Sequence, residues 1–139
     1  MAKPRPTIFI IDDDASVRRS LGRVMTSSGF DSKAFASVDE FIAGAALTSR
    51  GCIVADMTML GTSTLELNQL LANAHSALPV IFVTAQDTQE ARVAAREACA
   101  AGFFRKPVDM QALLDAIQWA LDNPLSRPDA TSSLRRASP

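Results

Sequence analysis

The stretch Gly51-Cys52-Ile53-Val54-Ala55-Asp56 is a short, mostly apolar run that ends in a single carboxylate. Its β-branched residues favour a strand, and the lack of polar alternation is typical of a strand buried on both faces of a parallel sheet. Three other short runs end in polar groups in the same way: Thr7–Ile11 before Asp12, Val80–Val83 before Thr84, and Gly102–Arg105 before Lys106. The sequence therefore predicts several strands whose ends carry charged or hydroxyl groups.

Helical patterns separate these strands. Apolar residues at helical spacing predict five helices, at 15–28, from Ser37, at 64–74, at 87–98 and from Pro107. The alternation predicts an α/β fold, a (βα)₅ domain with a doubly wound, flavodoxin-like parallel sheet of five strands. We take the strand order 2-1-3-4-5, which is one of the two common doubly wound patterns. The second strand, at 30–35, is more polar than the others and fits an edge position.

Composition excludes several classes of protein. The 139 residues suffice for one domain with a real core, and a net charge of −1 gives no global field that favours nucleic acid or an anionic membrane. No apolar run approaches the length of a membrane span, and the N-terminus lacks the apolar core of a signal peptide. We therefore expect a cytoplasmic protein without membrane contact.

The expected domain occupies residues 7–122. Residues 1–6 are expected to be a disordered lead-in, and residues 123–139 a disordered tail or linker, because they are rich in Ser, Pro and Arg without periodicity. Cys52 and Cys99 belong to no cluster with metal-ligand spacing, so we expect buried thiols rather than a metal site or a disulfide framework.

The strand ends form the candidate site. In the order 2-1-3-4-5, strands one and three are neighbours, so Asp12, Asp13 and Asp56 converge at the carboxyl edge of the sheet. Three carboxylates in a partly desolvated cleft repel unless one holds a proton or a cation lies among them, and hard oxygen ligands suit Mg²⁺. Thr84 and Lys106 add a hydroxyl and an ammonium. Together these groups predict a receptor for a transferring phosphoryl group, with Asp56 as the nucleophile that forms an acyl phosphate.

Four motifs carry these residues in order: Ile-Asp-Asp-Asp-Ala-Ser-Val-Arg (11–18), Val-Ala-Asp-Met-Thr-Met (54–59), Val-Thr-Ala (83–85) and Phe-Phe-Arg-Lys-Pro (103–107). In these motifs the chain resembles the receiver domain of two-component response regulators, from about Thr7 to Asp122. Shorter pieces resemble the FixJ/NarL-like branch, whose members often carry a C-terminal helix-turn-helix domain: Gly29-Phe30, Phe35-Ala36-Ser37, Leu78-Pro79-Val80-Ile81 and Lys106-Pro107.

The resemblance implies a ligand set and a donor. Asp56 would accept a phosphoryl group from a histidine of a sensor kinase. Asp13 would ligate Mg²⁺ directly and Asp12 largely through water, and the backbone carbonyl of Thr58 would be the third protein ligand. The implied metal site would thus consist of Asp12, Asp13, Asp56 and the backbone carbonyl of Thr58.

The resemblance also implies a switch. Thr84 would donate to one phosphate oxygen, and Lys106 would pair with another. Phe103 would be the switch aromatic, turning inward as Thr84 moves toward the phosphate, and the Lys106–Pro107 bond would be cis. The readout surface would comprise helix four, strand five and helix five, through which phosphorylated copies would form a homodimer.

The implied function is a signalling module and not a turnover enzyme. Self-catalysed phosphotransfer and slow autodephosphorylation are expected, the output is transcription, and DNA would be reached only through an output domain outside this chain. One alternative is a receiver-like module that binds proteins without phosphorylation. Another is a metal-dependent phosphohydrolase, which normally needs a second carboxylate two residues after the nucleophile, where this chain has Thr58.

Three positions depart from the family pattern. Leu60 stands where a proline is usual, which loosens the loop that would present the Thr58 carbonyl. Thr64 stands where a glycine is usual and needs an ordinary φ where glycine would be free. Cys99 replaces a turn glycine that is common before strand five. We expect these departures to change phosphorylation kinetics and metal affinity more than competence.

Overall fold

The computed structural model describes residues 5–44, 50–57, 67, 69, 71–73 and 76–123. Strands and helices alternate: Thr7–Ile11 (β1), Ala15–Ser27 (α1), Asp31–Phe35 (β2), Val38–Gly44 (α2), Gly51–Asp56 (β3), Val80–Thr84 (β4), Gln89–Glu97 (α4), Gly102–Arg105 (β5) and Met110–Asp122 (α5). Residues 67, 69 and 71–73 are helical and define α3, between β3 and β4. The predicted (βα)₅ alternation is confirmed.

The five strands form one parallel sheet in the order β2-β1-β3-β4-β5. This is the predicted order, and the polar strand β2 lies at the predicted edge. Because every strand runs in the same direction, all carboxyl ends lie along one edge of the sheet. The residues that follow β1, β3, β4 and β5 are therefore neighbours in space although they are distant in sequence.

Each face of the sheet carries its own core, because successive side chains of a strand point to opposite faces. On one face, residues of β1, β3 and β4 pack with α2, α3 and α4: Phe9, Ile11, Ile53, Ala55, Val80 and Phe82 with Phe41, Leu67, Leu71, Ala95 and Ala98. On the other face they pack with α1 and α5: Ile8, Ile10, Cys52, Val54, Ile81 and Val83 with Leu21, Met25, Leu113, Ile117 and Leu121. The inner residues of the central strands are apolar because both faces of the sheet are covered.

Side-chain caps set where the helices begin. Asp14 accepts hydrogen bonds from the first turn of α1, and Ser37 accepts from the backbone N–H of Glu40 at the start of α2. Thr88 and Asp109 cap α4 and α5 in the same way. These two helices begin later than the apolar pattern predicted, because the residues before them supply caps and not helical turns.

Two backbone positions are tightly constrained. A methyl group at Gly51 would overlap the carbonyl oxygen of Thr7, so glycine permits the close approach of β3 and β1. Cys99, in the turn before β5, has φ of 57°, which is the left-handed region that usually favours glycine. Cys99 therefore holds, at a cost in strain, a backbone conformation that glycine adopts freely.

Some predictions concern residues outside the described ranges. Thr58, Leu60 and Thr64 lie there, as do most of the lead-in 1–6 and of the tail 123–139. None of the helices in the described ranges combines the length and the apolar character that a membrane span needs.

Candidate functional site

The structure brings the three predicted carboxylates together. Ile11 pairs with Ala55 across the β1–β3 ladder, so the residues that follow them, Asp12 and Asp56, are neighbours at the carboxyl edge. One oxygen each of Asp12, Asp13 and Asp56 lies within 4.8 Å of the others. Asp12 and Asp56 are 1% and 7% exposed, whereas Asp13 is open to solvent. Two buried carboxylates and one accessible carboxylate thus form an acidic cluster that faces outward.

Lys106 lies between the two buried carboxylates. Its Nζ donates to Asp12 Oδ2 at 3.0 Å and to Asp56 Oδ2 at 3.2 Å. Its backbone N–H donates to the carbonyl of Thr84 at 2.7 Å, and its peptide bond to Pro107 is cis. Partial burial disfavours the ammonium, but the hydrogen bonds to Asp12 and Asp56 outweigh burial, so the pKa of Lys106 is raised. The lysine is therefore a cation at neutral pH.

Asp12 is anchored through its backbone and its side chain. Its N–H donates to the carbonyl of Phe35 at 3.1 Å, and its own carbonyl accepts from Arg18 Nη1 at 2.8 Å. Its Oδ1 accepts from the backbone N–H of Asp14 at 2.9 Å, and its Oδ2 accepts from Lys106. Arg18 is three residues before Leu21 and seven before Met25, so helical spacing places it beside the buried face of α1 but does not by itself predict this contact. The motif at 11–18, which ends in this arginine, was the signal that could have found it.

Thr84 lies at the same edge, at the end of β4. Val83 pairs with Asp56 across the β3–β4 ladder, so Thr84 lies one residue beyond the level of Asp56. Its hydroxyl is buried, donates to the carbonyl of Gln86 at 3.0 Å and accepts from the N–H of Gln86 at 3.1 Å. The hydroxyl thus closes a local turn while it stands beside the acidic cluster.

Phe103 lies farther from the acidic cluster, on β5, and packs against the apolar core. It also lines a groove of about 490 Å³ between α4 and β5, here the α4–β5 groove, with Asp87, Arg92, Ala95, Arg96, Ala100, Gly102 and Arg105. The Arg92 guanidinium bonds both carboxylate oxygens of Asp87 at 2.6 Å, and this hydrogen bonding lowers the pKa of Asp87. The groove therefore combines an aromatic ring with an excess of cationic groups.

The donor set fits a small divalent cation. With its carboxylates ionised, the cluster carries three negative charges, and Lys106 compensates one of them, which leaves two uncompensated. Hard oxygen ligands, one of them open to water, suit an ion such as Mg²⁺ that keeps part of its hydration shell. Asp12, Asp13 and Asp56 are the described residues that could hold such an ion.

Comparison with known proteins identifies the family. Residues 8–118 match the model of the response regulator receiver domain. The chain is 36% identical over 115 residues to the transcriptional regulatory protein TdiR of Thauera aromatica, which covers 83% of this chain and 51% of that protein. It is 32% identical over 117 residues to the transcriptional regulatory protein FixJ of Rhizobium meliloti, covering 84% and 57%. The chain thus spans about half the length of these curated relatives.

Solved structures agree with this assignment. The crystal structure of FixJ-N superimposes with a TM-score of 0.76 at 30% identity, covering 88% of this chain and 98% of that chain. The predicted resemblance is confirmed, and the chain belongs to the family of response regulator receiver domains.

Proposed function

We propose that Asp56 accepts a phosphoryl group from a sensor histidine kinase in the cytoplasm, and that the modified domain controls transcription through an output domain. One observation carries the proposal: Asp56 lies in a cluster of three carboxylates with Lys106 bonded to it, at the carboxyl edge of a receiver fold. Transcriptional regulators among the relatives support the output. A sensor kinase is the expected partner because the chain is a response regulator receiver domain.

Phosphoryl transfer needs positioning and charge neutralisation more than covalent help from the protein. An oxygen of Asp56 attacks phosphorus, the O–P bond forms as the N–P bond of phosphohistidine breaks, and the histidine leaves with the electron pair. Lys106, already bonded to Asp56, then pairs with a phosphoryl oxygen. Mg²⁺ held by Asp12, Asp13 and Asp56, with the predicted carbonyl of Thr58, would neutralise the negative charge that the phosphoryl group brings.

Thr84 links phosphorylation of Asp56 to a change at the surface of the domain. To donate to a phosphoryl oxygen, its hydroxyl must turn away from the carbonyl of Gln86, and this exchange opens the turn before α4. Phe103 then moves further into the core beside α4, and the surface formed by α4, β5 and α5 changes. We propose that phosphorylated copies pair through this surface, which carries exposed arginines on α4 and β5 and exposed aspartates on α5. The event is a local change of charge with a global consequence.

The domain is proposed to be a phosphoacceptor and not a turnover enzyme. A phosphohydrolase would need a second carboxylate two residues after the nucleophile, where this chain has Thr58. Hydrolysis of the acyl phosphate is therefore expected to be slow and to rely on water alone. A receiver-like module that binds partners without phosphorylation is the competing function.

The test uses acetyl phosphate with Mg²⁺ and follows the intact mass. We expect one phosphate per chain, no adduct on Asp56→Asn, and a normal adduct on Asp31→Asn, which removes a carboxylate at the opposite end of the sheet. Lys106→Ala should stay folded but fail to transmit the change to amide shifts in α4 and α5. An unmodified wild-type protein would favour the phosphorylation-independent module, and rapid turnover of varied phosphoesters would favour a hydrolase.

A further inference from the structure

Arg18 makes a contact that the proposed phosphoryl transfer does not use. It lies in the second turn of α1, where its backbone N–H donates to the carbonyl of Asp14 at 3.0 Å. Its side chain turns back over the strand end, and Nη1 donates to the carbonyl oxygen of Asp12 at 2.8 Å. Arg18 is half-buried, whereas the adjacent Arg19 is exposed and its side chain makes no hydrogen bond to the described part of the chain. The two neighbouring arginines thus differ in one contact, the hydrogen bond that Arg18 donates to the Asp12 carbonyl.

The contact restrains the loop that carries the acidic pair. With the bond from the Asp12 N–H to Phe35, it engages both polar groups of the Asp12 backbone. Arg18 links this backbone to α1, and Asp14, the cap of α1, also donates its N–H to the Asp12 carboxylate. The direction of the Asp12 carboxylate, and the start of the segment that presents Asp13, are therefore set before any ligand arrives.

We infer that Arg18 is a positioning residue for divalent-cation binding, acting through the carbonyl of Asp12 and not through contact with the ion. The inference rests on the proposed function, which requires a cation at this cluster. Groups that orient metal ligands from outside typically contribute about 10- to 100-fold to metal affinity. We expect the lower end, about 10-fold, because Lys106 and Asp14 still hold the Asp12 carboxylate when Arg18 is removed.

The sign of the effect separates positioning from charge. A guanidinium near an acidic cluster repels a cation, so loss of the charge alone would strengthen Mg²⁺ binding. Loss of the hydrogen bond lets the loop move and would weaken Mg²⁺ binding. Arg19→Met removes the same charge one residue along α1 without removing a bond to the loop, so it is the matched control for Arg18→Met.

The experiment is a titration with MgCl₂ at constant ionic strength, followed by backbone amide shifts in wild type, Arg18→Met, Arg19→Met and Arg18→Lys. We expect about 10-fold weaker binding for Arg18→Met, unchanged or tighter binding for Arg19→Met, and partial recovery in Arg18→Lys, which keeps a donor. If Arg18→Met does not fold, Arg18→Lys compared with wild type still tests the inference, because its shorter donor should weaken binding measurably.

Several results would overturn the inference. One is an Arg18→Met variant that binds Mg²⁺ as tightly as Arg19→Met, or more tightly. Another is an Arg18→Met variant that binds Mg²⁺ with wild-type affinity but has a lower unfolding free energy, because the bond to Asp12 would then be purely structural. With either of these results, the proposed function still stands as long as the wild-type protein binds Mg²⁺. A wild-type protein that binds no Mg²⁺ would remove the proposed cation site and the inference together.

Discussion

Replacing Lys106 with alanine removes a cation that bonds two buried carboxylates. Its Nζ lies 3.0 Å from Asp12 and 3.2 Å from Asp56. At an effective dielectric constant of about 20, opposite unit charges at such separations attract by roughly 5 kcal/mol per pair. Returning Lys106 to water offsets much of this, and its side chain is 25% exposed. We therefore expect a loss of about 2 kcal/mol in unfolding free energy, below the roughly 3–5 kcal/mol of fully buried pairs.

The assay is urea unfolding at pH 7 without divalent cations, followed by circular dichroism, for a double-mutant cycle with Asp56→Asn. If the loss comes from removing the cation that both carboxylates share, Lys106→Ala should cost less in the Asp56→Asn background, with a coupling of at least about 1 kcal/mol. Mg²⁺ should restore part of the stability of Lys106→Ala, because a ligand of the folded state stabilises it. A coupling below about 0.5 kcal/mol would refute the electrostatic reasoning.

The pH dependence follows from the raised pKa of Lys106. A cation whose pKa is higher in the folded state contributes fully below its ordinary pKa of about 10.4 and stops contributing as the pH rises through the folded value. The difference in unfolding free energy between wild type and Lys106→Ala should therefore be constant near neutrality and shrink only above that value. A difference that shrinks between pH 6 and pH 9 would mean that another group is responsible.

Three further predictions concern the fold. Gly51→Ala should lose about 2 kcal/mol in urea unfolding, because the added methyl group overlaps the Thr7 carbonyl; a loss under about 0.5 kcal/mol would contradict this. Cys99→Gly should gain about 0.5 to 1 kcal/mol by relieving a left-handed residue, whereas Cys99→Ala should gain nothing. Burial raises the pKa of Cys52 to about 12, so stability should fall above about pH 8.5 as the unfolded thiol ionises, by up to about 1.4 kcal/mol per pH unit. Cys52→Ala should lack that slope, and thiol reagents should label Cys99 well before Cys52.

The strand ends could be predicted because strands buried on both faces have a recognisable apolar sequence. Continuous apolar runs such as Ile53–Ala55 identify strands covered on both faces, and parallel direction alone brings their ends to one edge. Asp12, Asp56 and Lys106 are therefore found together although up to 94 residues separate the bonded groups. The sheet order came from a common pattern, and the structure confirms it.

The polar contacts of the site and the starts of the helices depend on which hydrogen-bond partner each polar side chain reaches. Arg18 shares the face of α1 that carries Leu21 and Met25, and its length lets it reach back to the end of β1. The hydroxyl of Thr84 prefers a local turn with Gln86, which no strand pattern reveals. Helix starts shifted because Thr88 and Asp109 act as caps. Each of these choices is decided by one or two hydrogen bonds and leaves little trace in the spacing of apolar residues.

The close approach at Gly51 also limits how this protein can change in length. β3 begins at a residue that packing requires and ends at Asp56, which the chemistry requires, and its inner residues alternate between the two cores. Inserting or deleting one residue within β3 would move Ile53 and Ala55 to the opposite core or shift the carboxylate away from the cluster. Duplications and deletions that survive in descendants of this chain should therefore fall outside β3, whereas the apolar side chains between Gly51 and Asp56 can still be exchanged for others of similar size.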